Sequence, residues 1–203
     1  MAFLLLFLLA LVFPGLACAG NAPAAEPEAC NLTPDELDVY SATIQELLLK
    51  DHGDPARVIL RDRTSAGYPP GMATMKSTAE NQKEVLEAST LETRDDFDRK
   101  NKAPCKLEPK IQPVERIRLL TQMDEQVSFP RGSGSWKIFY ANYPGATGFT
   151  LVSRIGFNSA RDQALVYLGN SCELLCGHGY LVLLKKHNGK WKFLKQAGIW
   201  VAG

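Results

Sequence analysis

Histidine is scarce in this chain: 203 residues contain three, His52, His178 and His187. The scarcity limits acid–base chemistry near neutral pH, because histidine is the one side chain whose ordinary pKa lies there. Recognised catalytic and nucleotide-binding patterns are missing too. There is no H-E-x-x-H pair for zinc, no phosphate-cradling P-loop, no dinucleotide fingerprint and no G-x-S-x-G elbow. No basic stretch interleaved with aromatics marks a nucleic-acid groove, so nucleic acid is not an expected partner. The formal net charge is only +1, yet its distribution is uneven. Residues 131–203 carry nine Lys and Arg against two Asp and Glu, net +7, while residues 20–130 are net −6. The halves offset each other within one fold, and the basic end is suited to an anionic partner such as a cell-envelope component.

Long apolar runs are confined to the start. Residues 2–19 hold no charge and end in Ala17-Cys18-Ala19, the pattern of a secretory leader cleaved after Ala19. The run before Pro14 is too short for a spanning helix, which takes about 20 apolar residues. Cys18 after Ala17 offers the alternative of lipidation, and only then is a membrane partner expected. The organisation is therefore a signal peptide at 1–19, an Ala/Pro/Glu-rich linker at 20–30 and a single α+β domain at 31–203. The setting is periplasmic or secreted, or, with Cys18 lipidated, a membrane-anchored lipoprotein.

Cys30, Cys105, Cys172 and Cys176 remain after cleavage. An even number in an exported chain points to disulfides. Cys172 and Cys176 share one short loop and meet at little entropic cost, leaving Cys30 for Cys105. A metal would need a fourth ligand beside Cys172, Cys176 and His178. His187 is carried about 20 Å away by the intervening strand, so no metal is expected. The C-x-x-x-C spacing is also not the C-x-x-C of redox enzymes.

Thr33, Pro34 and Glu36 form a capping box with proline at the first helical position. Leu37, Tyr40, Ile44, Leu47 and Leu48 then recur at helical spacing to about Lys50. A strand is expected over 57–64 and a second helix over Glu80–Lys100, with Val85, Leu86, Leu91 and Phe97 as its apolar stripe. "PVERIRLL" reads as a strand, "TQMDEQVSF" as a short helix, and a brief helix presents Trp136, Phe139 and Tyr140. Four strands follow: 148–157, 163–169, 179–187 and 190–201. Asn188-Gly189 between the last two is a hairpin signal, because both residues accept positive φ. That turn pairs Leu184 with Phe193 and Lys186 with Trp191. It puts Leu184 and Trp191 on a packed face and Lys185, Lys190 and Lys192 on the other. The expected fold is α+β: N-terminal helices packed on one face of an antiparallel meander of at least four strands.

Trp136, Phe139-Tyr140, Tyr143-Pro144-Gly145, "SRIGFN", "ALVYLG", the "CELLCGHGY" loop, "GKW" and the earlier "TLETRDDFDRKN" together resemble an uncharacterised family of exported bacterial proteins. The resemblance covers most of the chain after the leader and implies an envelope or secreted setting. It carries no activity, cofactor or catalytic residue. Within the α+β class, a curved sheet of cystatin-like or NTF2-like form is the expectation.

Two functions are in play. The first is a non-enzymatic binding or interaction domain of unknown ligand, using the sheet, the cysteine loop and the Lys185, Lys190 and Lys192 face. The second is a small secreted or periplasmic hydrolase using Ser153 or His178. Arg154 beside Ser153 would point to the opposite face of a regular strand. His178 lies between two glycines that permit either a close ligand or a loop reversal. The aromatic residues are expected in the core, and no cofactor is implied. The binding domain is the better match to a chain this poor in catalytic motifs.

Overall fold

The computed structural model describes residues 26–50, 57–66, 78–130, 136–173 and 176–201. The leader, Cys18, most of the linker and His52 lie outside the described residues.

Helix α1 (Pro34–Ile44) starts where its sequence dictates. Thr33 accepts from the Glu36 amide, and the Glu36 carboxylate accepts from the Thr33 amide at 2.8 Å. The helix runs on into a π-helical turn, Gln45–Leu49, and ends near Lys50 as anticipated. Strand β1 (Arg57–Arg61) follows, then α2 (Thr78–Ala88), α3 (Leu91–Lys100), β2 (Ile117–Leu120), α4 (Gln122–Ser128) and α5 (Trp136–Asn142). The remaining strands are β3 (Ala146–Val152), β4 (Gly156–Phe157), β5 (Gln163–Ser171), β6 (His178–His187) and β7 (Lys190–Val201).

All seven strands form one mixed sheet ordered β2-β1-β3-β5-β6-β7, with β4 also paired to β5. The antiparallel meander is present as β3-β5-β6-β7. Beyond it, β1 adds to β3 and β2 adds to β1, both in parallel. The final hairpin has the anticipated register, with Leu184 opposite Phe193 and Lys186 opposite Trp191. Its turn residues Asn188 and Gly189 have φ of 50° and 75°, which suit a tight two-residue hairpin.

Helices cover both faces of the sheet, not one. On one side α1 packs Val39, Tyr40 and Ile44 onto Val58, Leu60, Val166 and Val182. On the other, α2 and α3 set Val85 and Phe97 against Leu165, Tyr167, Leu181 and Leu183. Further along that side, α5 sets Phe139 and Tyr143 against Ile59, Phe149 and Leu151. Covering both faces explains why β5 is buried from Gln163 to Asn170 and reads as a nearly continuous apolar run. Each fully buried aliphatic or aromatic side chain contributes about 1.5–3 kcal/mol.

Four further sequence expectations change. The helix over Glu80–Lys100 is two helices broken at Ser89-Thr90, because Thr90 turns out of the helix and caps α3 by accepting from the Thr93 amide. The break swings Leu91 to the surface, where it is 69% exposed. The strand from 57 ends at Arg61 and continues only as isolated bridges at Arg63 and Ser65. The strand over 148–157 is interrupted between Val152 and Gly156. Finally, the end of the supposed linker is part of the fold. The Cys30 amide donates to Lys106 O at 2.9 Å, and the Lys106 amide donates to Glu28 O at 2.7 Å.

Candidate functional site

The interruption between β3 and β4 builds the site. Ser153 is almost fully buried, and its hydroxyl bridges two backbone groups. It accepts from the Tyr167 amide at 2.8 Å and donates to Arg154 O at 2.9 Å. The Ser153 amide still donates to Tyr167 O at 3.0 Å, and the hydroxyl supplies the next rung of the ladder as residues 154–155 bow away from β5. A bowed strand leaves peptide groups without strand partners, and buried peptide groups must be paired. Tyr40 donates its hydroxyl to Ser153 O at 2.8 Å. Asn101, at the end of α3, accepts from the Arg154 amide at 2.7 Å and donates to Arg154 O at 3.0 Å. Lys100 donates to Ile155 O at 3.0 Å, and Asp96 accepts from the Phe157 amide at 2.9 Å. Side chains from α1 and α3 therefore hold the bow in one conformation.

Arg154 projects from this bow into a cleft of about 620 Å³, which Arg63, Arg99, Lys100 and Lys102 also line. The arm Pro27–Ala29 and Cys105 complete the walls. Cys105 is disulfide-bonded to Cys30 with Cα atoms 5.0 Å apart, so the bond ties the arm to the cleft. Glu28 is the single acid among the lining residues. Most of the cations have carboxylates. Arg63 pairs with Asp62 and Glu125, Arg99 with Asp96, and Lys100 with Asp96 at 2.9 Å. Two differ. Lys102 has no ion pair among the described residues, and the buried Nε of Arg154 has no hydrogen-bond partner there.

The local electrostatics match this picture. Burial pulls the Asp96 carboxyl up, but Lys100, the Phe157 amide and Arg99 together hold it below its ordinary value. Burial, reinforced by the Glu36 charge, pushes the Tyr40 phenol well above its ordinary value. Tyr40 therefore stays a neutral donor to Ser153 O.

The structure does not bring together the two candidate catalytic residues, Ser153 and His178. Ser153 is spent on the backbone, while His178 opens β6 opposite Asn170 and Val201. The His178 ring lies against Tyr180, with centroids 5.2 Å apart. Its flanking glycines serve the protein's own indole. A Cβ on Gly179 would sit 2.1 Å from Trp200 Nε1, and one on Gly177 would sit 3.0 Å from the same ring. Trp200 in turn donates to the buried Tyr167 hydroxyl at 2.7 Å. Cys172 and Cys176 are joined, with Cα atoms 5.6 Å apart. Among the described residues no group of three or more His, Cys, Asp or Glu is arranged to hold a metal ion.

Lys185, Lys190 and Lys192 lie exposed beside the turn of the last hairpin, with Lys185 directly opposite Lys192. Like charges at opposed positions repel, so this surface also suits an anion, although it is not concave. The cleft residues Arg63, Arg99, Lys100 and Lys102 went unseen in the sequence. Arg99, Lys100 and Lys102 read as the solvated face of a charged helix, Arg63 is distant in sequence, and the chain's basic excess lies elsewhere, in residues 131–203. The nearest available signal was Cys30 with Cys105, which brings the arm beside "RKNKAPC".

No family model, curated protein or solved structure matches this chain. The fold and site define it as a disulfide-bonded α+β protein with a cationic cleft.

Proposed function

We propose that this chain is an exported, non-enzymatic binding domain whose ligand places an anionic group at Arg154. One observation carries the reading: Arg154 lines a concave site and has no ion pair among the described residues. An oxyanion docking against the guanidinium gains the charge-assisted geometry that guanidinium groups offer carboxylates and phosphates. Lys102 adds a second uncompensated charge at the rim. The two disulfides support an oxidising compartment, and an exported chain meets anionic envelope components there. Among the described residues no helix is long and apolar enough to cross a membrane.

Calorimetric titration with inorganic phosphate and pyrophosphate tests the reading. The wild type is expected to bind pyrophosphate at least tenfold more tightly than R154Q or K102Q, with K185Q/K190Q/K192Q unchanged. Equal affinity in wild type and R154Q, or loss only in the hairpin triple variant, overturns it.

A further inference from the structure

We infer that the ligand is a single-chain amphiphile, with its anionic head in the Arg154 cleft and its hydrocarbon tail in a second cavity next to it. This inference rests on the anion-binding reading above and adds the chemical class of the ligand.

The second cavity holds about 450 Å³ and shares Pro27 and Arg63 with the first. Its character is different. Leu107, Pro109, Leu119 and Met123 make its apolar part, with Glu26, Asp62, Lys106, Thr121 and Gln122 around them, and Met123 is 74% exposed. Methionine adapts readily to irregular hydrocarbon. The volume lies in the range of small-molecule sites.

The chain itself connects the two cavities. Cys105 lines the first, and Lys106 and Leu107 line the second. This strap is fixed on both sides. The Lys106 amide donates to Glu28 O at 2.7 Å, the Leu107 amide to Asp62 O at 2.7 Å, and the Thr64 amide to Cys105 O at 2.9 Å. At the junction, Arg63 is held by Asp62 at 2.9 Å and by Glu125 at 2.7 Å. Its charge is thus already matched, so it can border an apolar tail without demanding an anion of its own. The uncompensated cations, Arg154 and Lys102, belong to the first cavity alone. Charge at one end and hydrocarbon-compatible surface at the other is the complement of an amphiphile. A small inorganic anion would leave the second cavity unused, and a polyanion would meet no cation there beyond Arg63 and Lys106.

Full-length protein, after removal of any leader, is titrated by calorimetry with inorganic phosphate, with butyl, hexyl and octyl phosphate below their micelle concentrations, and with octyl glucoside. Each buried methylene is worth about fourfold in affinity. Octyl phosphate should therefore bind at least a hundredfold more tightly than inorganic phosphate, with affinity rising along the series. L119K and M123E should flatten the rise while leaving phosphate affinity within twofold. R154Q should weaken every phosphate by a similar factor. If phosphate binds normally and chain length adds nothing, this inference falls and the anion-binding reading stands. If no phosphate binds, both fall. Octyl glucoside binding as tightly as octyl phosphate overturns the role given to the head. Co-sedimentation with phosphatidylglycerol vesicles, without uptake of monomeric alkyl phosphate, assigns the surface to a bilayer and also overturns the inference.

Discussion

Ser153 shows how one hydroxyl can be read in two opposed ways. As a nucleophile it would need an exposed oxygen and a base. Here it is 1% exposed, and both hydrogen-bonding directions of the hydroxyl are taken by backbone. Ser153→Ala should therefore cost about 1–3 kcal/mol of stability, because the Tyr167 amide loses its side-chain partner in a buried setting. Urea unfolding checks this, and an unchanged midpoint would remove the bridging role. Gly179 makes a parallel case. Its replacement by alanine drives a Cβ into the Trp200 indole, and overpacking of that kind costs about 1–3 kcal/mol. Near-ultraviolet circular dichroism should register the displaced tryptophan, while far-ultraviolet spectra stay close to wild type.

Among the elements, α1 and the last hairpin were the most legible, and the physical reason is locality. Thr33, Pro34 and Glu36 carry a complete start signal within four residues, and Asn188-Gly189 sets the register of two strands by itself. The break at Ser89-Thr90 was not legible. Its decisive partner is Gln163 on β5, whose side-chain Oε1 accepts from the Thr90 amide at 2.7 Å and the Thr93 hydroxyl at 3.0 Å. The parallel addition of β1 and β2 was hidden for the same reason, since no turn joins them to their neighbours. Asp35 then links the two legible elements. At the start of α1 its carboxylate receives Lys186, Arg161 at 3.2 Å and the Trp191 indole at 3.4 Å. The Lys186 hydrogen bond leads in holding its pKa below the ordinary value, against the opposing effect of burial. A carboxylate whose folded pKa is depressed stabilises the fold above its unfolded pKa and loses that contribution as pH falls through the folded one. Asp35→Asn should thus be less stable than wild type at pH 7, by up to about 1 kcal/mol. The gap should narrow below about pH 4 and close once wild-type Asp35 is protonated. Thermal melts of both proteins across that range check the sign, and a gap that widens in acid would contradict it.

For the whole molecule, the sequence revealed that two cysteine pairs exist but not that they do different work. Cys172–Cys176 closes a ring within one loop. Cys30–Cys105 spans 75 residues, and its half at Cys105 is followed by the strap that leads from the cationic cleft to the apolar cavity. Loop-closure entropy ranks them: the long ring is worth about 4 kcal/mol and the short one about 2 kcal/mol. Location separates them more sharply than entropy does. Without the Cys30–Cys105 bond, the arm Pro27–Ala29 keeps only its backbone hydrogen bonds to the strap, and it forms one wall of the cleft. Cys30→Ser/Cys105→Ser should lose both stability and pyrophosphate affinity, the latter by at least fivefold even at a temperature where the fold persists. Cys172→Ser/Cys176→Ser should lose the smaller increment of stability and bind pyrophosphate as the wild type does. Urea unfolding paired with calorimetry on both variants tests this. If the first variant binds normally while folded, the arm is no wall of the site. If the second loses affinity instead, the ligand belongs at the His178 end of the sheet and not at Arg154.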